Sequence, residues 1–167
     1  MQLNHPLTPC LWFDTQAEDA AKLYCSVFPN SKITAVSRFP DAGQEIHKKP
    51  AGSVMTVAFS LNGQAFTALN GGPAYKLNEA VSFQISCDTQ DEVDYFWNAL
   101  TRDGGQEGPC GWLKDQFGLS WQVVPSALPK LMTAAEPAAS ARVMNAFMKM
   151  KKFDIAALER AYAGEAA

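Results

Sequence analysis

Two histidines and four cysteines are the side chains from which a metal or redox centre could be built. His5 stands ahead of the first apolar segment, and His47 lies in a polar stretch beside Lys48 and Lys49. Neither has a second ligand type at useful spacing, whereas a tight divalent site needs three or more converging His or carboxylate groups. Both read as solvated histidines, and no metal or other cofactor is expected. Cys10, Cys25, Cys87 and Cys110 are too far apart for a CxxC pair. They read as free thiols, mostly acting as small buried hydrophobes. Cys110, flanked by Gly108-Pro109 and Gly111, is expected to be the most exposed. Gln122 is the remaining polar group of interest. It sits between Trp121 and Val123 in an apolar strand, where a polar side chain faces either solvent or a cavity.

The elements that position these residues follow from a repeat. Asp14-Thr15-Gln16-Ala17-Glu18 returns as Asp88-Thr89-Gln90-Asp91-Glu92, an offset of 88 − 14 = 74 residues. Each copy follows a short apolar strand segment and precedes an apolar helical pattern, so a strand-to-helix unit is duplicated. Thr15 with Glu18, and Thr89 with Glu92, each have capping-box spacing. Behind them, Ala17, Ala20, Ala21, Tyr24, Val27 and Phe28 line one helix face, and Val93, Phe96, Trp97 and Leu100 line another. Strands are expected at 33–39, 54–61 and 65–69, with Asn62-Gly63 as the hairpin turn, because both positions need positive φ. A polar loop is expected over 40–52. In the second half, strands are expected at 81–87 and 119–124, with one broken strand within 106–113. Gly118 closes the turn before the last strand. Leu119, Trp121 and Val123 share one face of it; Ser120, Gln122 and Val124 share the other. Lys114-Asp115 reads as a turn ion pair, or as charges at a pocket mouth. The tail is helical. Val143, Phe147 and Met150, with Met144 and Met148 beside them, form a stripe available to a partner, and Asp154 caps a last helix bearing Ile155, Leu158 and Tyr162.

A chain of 167 residues with 47% hydrophobic content can bury a real core. Net charge of −3 argues against nucleic acid. No apolar run approaches the roughly 20 residues needed to span a bilayer. The N-terminus lacks a signal-peptide pattern, so a cytoplasmic protein without a membrane partner is expected.

The order strand–helix–strand–strand–strand, twice over, resembles the vicinal-oxygen-chelate superfamily of glyoxalase I, bleomycin-resistance proteins and extradiol dioxygenases. The blocks Phe66–Pro73, Asn78–Phe83, Cys110–Asp115 and Gly118–Pro125 resemble its 3-demethylubiquinone 3-methyltransferase-like branch, close to phosphonate-operon-type glyoxalase-like proteins. The resemblance implies an α+β fold. Tandem βαβββ modules (about 8–72 and 81–126) would form curled mixed sheets around a pocket, within a domain at 1–130. A helical extension would follow at 131–167.

The resemblance also places the superfamily's four metal positions near Thr8, Ser82, Gln122 and within 67–70. Only Gln122 is a plausible ligand type. It suggests a ligand pocket drawn from Gln122, Trp12, Asn70, Phe83, Trp112 and Trp121, although each ring could equally fill the core. The expected function is binding of a small organic molecule, apolar or aromatic. The alternatives are the methyltransferase of the branch label and a non-catalytic sequestering protein. Against methyl transfer, the turn after Leu11-Trp12-Phe13 lacks the glycines of a doubly wound nucleotide site. A homodimer is expected, since a four-stranded curled sheet is marginal alone.

Overall fold

Both copies of the repeated segment join a strand to a helix, as their flanks require. The computed structural model describes residues 7–133 and 136–165; His5 lies outside them. The chain divides into two units at Leu77 and Asn78.

The first unit runs β1 (Cys10–Phe13), α1 (Ala17–Val27), β2 (Lys32–Arg38), α2 (Gln44–His47), β3 (Val54–Leu61) and β4 (Gln64–Asn70). Its sheet has the order β1-β4-β3-β2, with β1 parallel to β4 and the other pairs antiparallel. The hairpin between β3 and β4 turns at Asn62 and Gly63, with φ of 44° and 87°. Strand alternation sends Val57, Phe59, Leu61, Phe66 and Ala68 to one buried face, where they meet Ala17, Ala20, Ala21 and Tyr24 of α1. Burying each larger side chain contributes about 1.5–3 kcal/mol. The polar loop over 40–52 contains the single turn α2. The capping box expected at Thr15 and Glu18 does not form. Gln16 is the N-cap and makes no side-chain cap bond, while Glu18 pairs with Lys22 at 2.8 Å. The first helical amide, on Ala17, instead donates to Asn70 Oδ1 of β4 at 2.8 Å.

The second unit repeats the order with shorter parts: β5 (Ser82–Cys87), α3 (Gln90–Thr101), β6 (Gln106–Glu107), β7 (Trp112–Lys114) and β8 (Ser120–Pro125). Its sheet has the order β5-β8-β7-β6, with β5 parallel to β8. Here the capping box is complete. Glu92 N–H donates to Thr89 Oγ1 at 3.2 Å, and Glu92 Oε2 accepts from the Asp88 and Thr89 amides. The single broken strand expected at 106–113 is two strands that pair with each other, Gln106 opposite Lys114 and Glu107 opposite Leu113.

Three helices follow: α4 (Leu128–Met132), α5 (Pro137–Phe147) and α6 (Ile155–Ala163). Asp154 caps α6, accepting from Ala157 N–H at 2.8 Å. The tail stripe is not free for a partner. Val143 is fully buried with Val124, Leu128, Phe153 and Leu158, and Phe147 and Met150 pack against that cluster. Only Met144 and Met148 of the group remain exposed. Cys110 is half-buried against the same cluster, and Cys10 is the exposed thiol. Gly111 permits this docking. Its φ is +78°, and a Cβ there would run into the Phe153 ring and the Val123 carbonyl. No helix among the described residues is long and apolar enough to cross a membrane.

Candidate functional site

Register sorts the second sheet into two chemically different faces. Phe83 pairs with Trp121, and Trp121 with Leu113, so these share a face with Ile85 and Val123. That face is apolar and buried, and the buried side of α3, Val93, Trp97 and Leu100, packs on it. The opposite face carries two rows that run across the strands. Gln106, Lys114, Ser120 and Ser82 form one; Trp112, Gln122 and Gln84 form the next. Cross-strand neighbours of this kind have Cβ atoms about 5 Å apart, within mutual reach. The C-terminal cluster covers this face only at its Val124 end.

A cavity of about 440 Å³ opens at the other end of the polar face. Glu79, Trp112, Lys114 and Ser120 line it, with Gln106 and Pro109 at its side. Lys114 does not pair with Asp115, which turns inward and is 3% exposed. There Asp115 accepts from the Phe117 and Leu119 amides at 2.9 and 3.1 Å and from the Trp121 indole at 2.9 Å. Lys114 reaches Glu79 instead, and this contact holds the Glu79 carboxyl below the usual carboxylate range. Glu107, also on the wall, is pulled down by the Trp97 indole first and by Lys151 next. Ser120 Oγ, by contrast, is fully buried and has no hydrogen-bond partner.

The residues marked from sequence therefore separate. Gln122 and Trp112 lie half-buried on the polar face, where Gln122 Nε2 donates to Ser82 Oγ at 2.8 Å. Phe83 and Trp121 lie on the α3 side, with rings 5.7 Å apart. Trp12 lies in the first unit. Its indole donates to the Gly72 carbonyl at 2.7 Å, meets Tyr75 edge-on at 5.0 Å and covers Gly71 so closely that a Cβ would collide. Asn70 is 6% exposed and fully engaged, since its Nδ2 also donates to Val54 O at 3.1 Å. Glu79, Gln106 and Ser120 were missed as site residues. The alternation that places Ser120 beside Gln122 was the available signal.

The residues at the superfamily's metal positions do not suit a divalent ion. Ser82 and Gln122 satisfy each other, and Asn70 ties α1 to β3. The His47 ring lies tilted against Phe39, with centroids 4.7 Å apart, and its Nδ1 accepts from the Lys49 amide at 3.0 Å. Among the described residues, no three His, Cys, Asp or Glu groups converge.

Comparison with known proteins agrees with this architecture. A structure from Bacillus cereus described as a putative 3-demethylubiquinone-9 3-methyltransferase, PhnB protein, is 29% identical, with a TM-score of 0.64 over 72% of this chain and 99% of that one. Protein PA1353 from Pseudomonas aeruginosa is 22% identical, with a TM-score of 0.58 over 73% and 98%. The fosfomycin resistance protein FosX from Listeria monocytogenes shares the fold at 12% identity, with a TM-score of 0.55 over 80% and 100%. No curated protein matches. The family model for 3-demethylubiquinone-9 3-methyltransferase matches residues 5–124. The chain belongs to that family, a branch of the vicinal-oxygen-chelate superfamily.

Proposed function

We propose that the protein binds a small organic molecule, apolar or aromatic in its body, on the polar face of its second module. One observation carries the reading: the cavity of about 440 Å³ beside Trp112. Its size falls within the few-hundred-Å³ range of ligand pockets, and it combines an aromatic wall with a few fixed polar groups. Gln122, next to Trp112 across the strands, adds a half-buried amide held in place by Ser82. The protein then acts as a glyoxalase- or bleomycin-resistance-like binding protein, with or without turnover. A library of aromatic fragments, followed by the indole NMR signal of Trp112, tests this. The signal should move saturably with some fragments, and Trp112→Ala should abolish their binding, read from the fragments' own signals, while retaining the fold. A Trp112 signal unmoved by every fragment rejects the reading.

The family match favours a second reading, methyl transfer to a quinone precursor. The connection from β1 to α1, Asp14-Thr15-Gln16, has no glycine, and each sheet is mixed rather than doubly wound, so no conventional nucleotide cradle supports it. Calorimetry with S-adenosylmethionine decides the matter: saturable micromolar binding favours methyl transfer, and its absence favours the binding protein. The proposal includes a homodimer. The edge strand β2 is seven residues long and five of them are exposed, so its unpaired edge is a template for pairing. A monomer in sedimentation at tens of micromolar removes that part.

A further inference from the structure

Building on that reading, we infer that the ligand of the second module is an aromatic carboxylate, and that Glu79 holds its place at Lys114 until it arrives. Three observations converge. Ser120 Oγ is a buried hydroxyl without a partner on the cavity lining. A buried polar group left unpaired is costly, and a ligand oxygen entering the cavity would supply the missing bond. Lys114 is the direct cross-strand neighbour of Ser120, so a cationic and a hydroxyl side chain leave the sheet on the same face. Two adjacent donors suit a group with two acceptor oxygens, and the ammonium disfavours a cation.

The third observation is that a carboxylate already occupies Lys114. Glu79 belongs to the irregular segment between β4 and β5, and its side chain is 62% exposed. An exposed pair of this kind is weak. A ligand carboxylate that also reaches Ser120 replaces the Glu79 contact and adds a bond. Its ring then lies against Trp112 and Pro109, both on the same lining. The other carboxylate on the wall, Glu107, stays held by the Trp97 indole at 3.1 Å and Lys151 at 3.4 Å.

Full-length protein titrated at low salt with benzoate, benzyl alcohol and benzylamine tests the assignment, with the Trp112 indole signal as readout. Benzoate should bind in preference to the other two. Lys114→Met should weaken benzoate about tenfold, the loss expected for a charge-assisted hydrogen bond. Ser120→Ala should weaken it by about threefold without lowering the melting temperature, since it deletes an oxygen with no partner. Glu79→Gln should tighten benzoate by about threefold, because the internal competitor loses its charge. Equal binding of benzyl alcohol, unchanged by Lys114→Met, overturns the carboxylate assignment and leaves the Trp112 pocket standing. Preference for benzylamine does the same. Weaker benzoate binding in Glu79→Gln overturns the place-holding role. If none of the three probes moves the indole, the carboxylate assignment falls, and the fragment library then decides the pocket separately.

Discussion

The two modules share strand order and direction but fasten their helices differently. In the second, α3 is capped by its own sequence neighbours, Thr89 and Glu92. In the first, α1 is capped from across the sheet by Asn70, 53 residues away, which also ties in β3 through the Val54 carbonyl. The faces turned away from these helices diverge as well. The first sheet presents Cys10, Trp12, Ala58, Thr67 and Leu69 there, and the second presents Lys114, Ser120, Ser82, Gln122 and Trp112. The two modules therefore keep the helix-packed faces that specify the fold, and differ in the opposite faces and in the fastenings.

The largest expected effect lies on a buried face. Trp121→Ala empties a site 2% exposed and removes a hydrogen bond to Asp115, so it should cost about 3–5 kcal/mol in denaturant unfolding. A loss below about 1 kcal/mol would show that this face tolerates what the comparison says it cannot. Next come the two caps. Asn70→Ala removes one buried and one half-buried hydrogen bond and strands their partners, and should cost about 2–3 kcal/mol, whereas Thr89→Ala, at an exposed cap, should cost about 1 kcal/mol. Equal losses would erase the contrast between remote and local capping. On the face away from α3, Gln122→Leu should change stability by less than about 1 kcal/mol, since only its half-buried contact with Ser82 is lost. It should still alter aromatic fragment binding, and unfolding would place Gln122 among the core residues instead.

The smallest effect is electrostatic. Burial pushes the Cys87 thiol up from an ordinary 9.0 to about 11. The unfolded chain ionises this group first, so its contribution to stability is intact below about pH 9 and is lost as the pH rises toward 11. Cys87→Ala should flatten the alkaline side of the stability profile. At pH 8, a thiol reagent should label exposed Cys10 and spare Cys87 in the native protein. Equal labelling would contradict the burial.

Much of the fold was legible because its signals are local. The repeated capping segment, the Asn62-Gly63 turn and the period-two pattern of β3 all lie within a few residues. What escaped depends on distant partners. Asn70 reads as a turn residue until the chain brings it to Ala17. Thr15 and Glu18 have capping-box spacing, yet helix α1 begins one residue late for it. The two residues of β6 are too few to show a period. At the site, Gln122 and Trp112 were visible as a polar group and a ring on strands. Ser120 was not, because a serine in a strand is unremarkable until its oxygen is found buried and unpaired. Lys114 was visible, but its partner Glu79 is 35 residues away by numbering.

The cluster joining Val124 to Leu158 has a consequence for how the protein is made. Synthesis is vectorial, and domains fold as their sequence emerges. Every strand partner of the first module is at hand once Asn70 has left the ribosome. The second cannot bury Val124 until Phe153 and Leu158 leave the ribosome, and Gln90 meets its bonding partners at Phe153 and Ile155 equally late. The first module thus has all its strands while the second is still unsealed, and a premature stop shortly after β8 would strand the second half rather than merely shorten it.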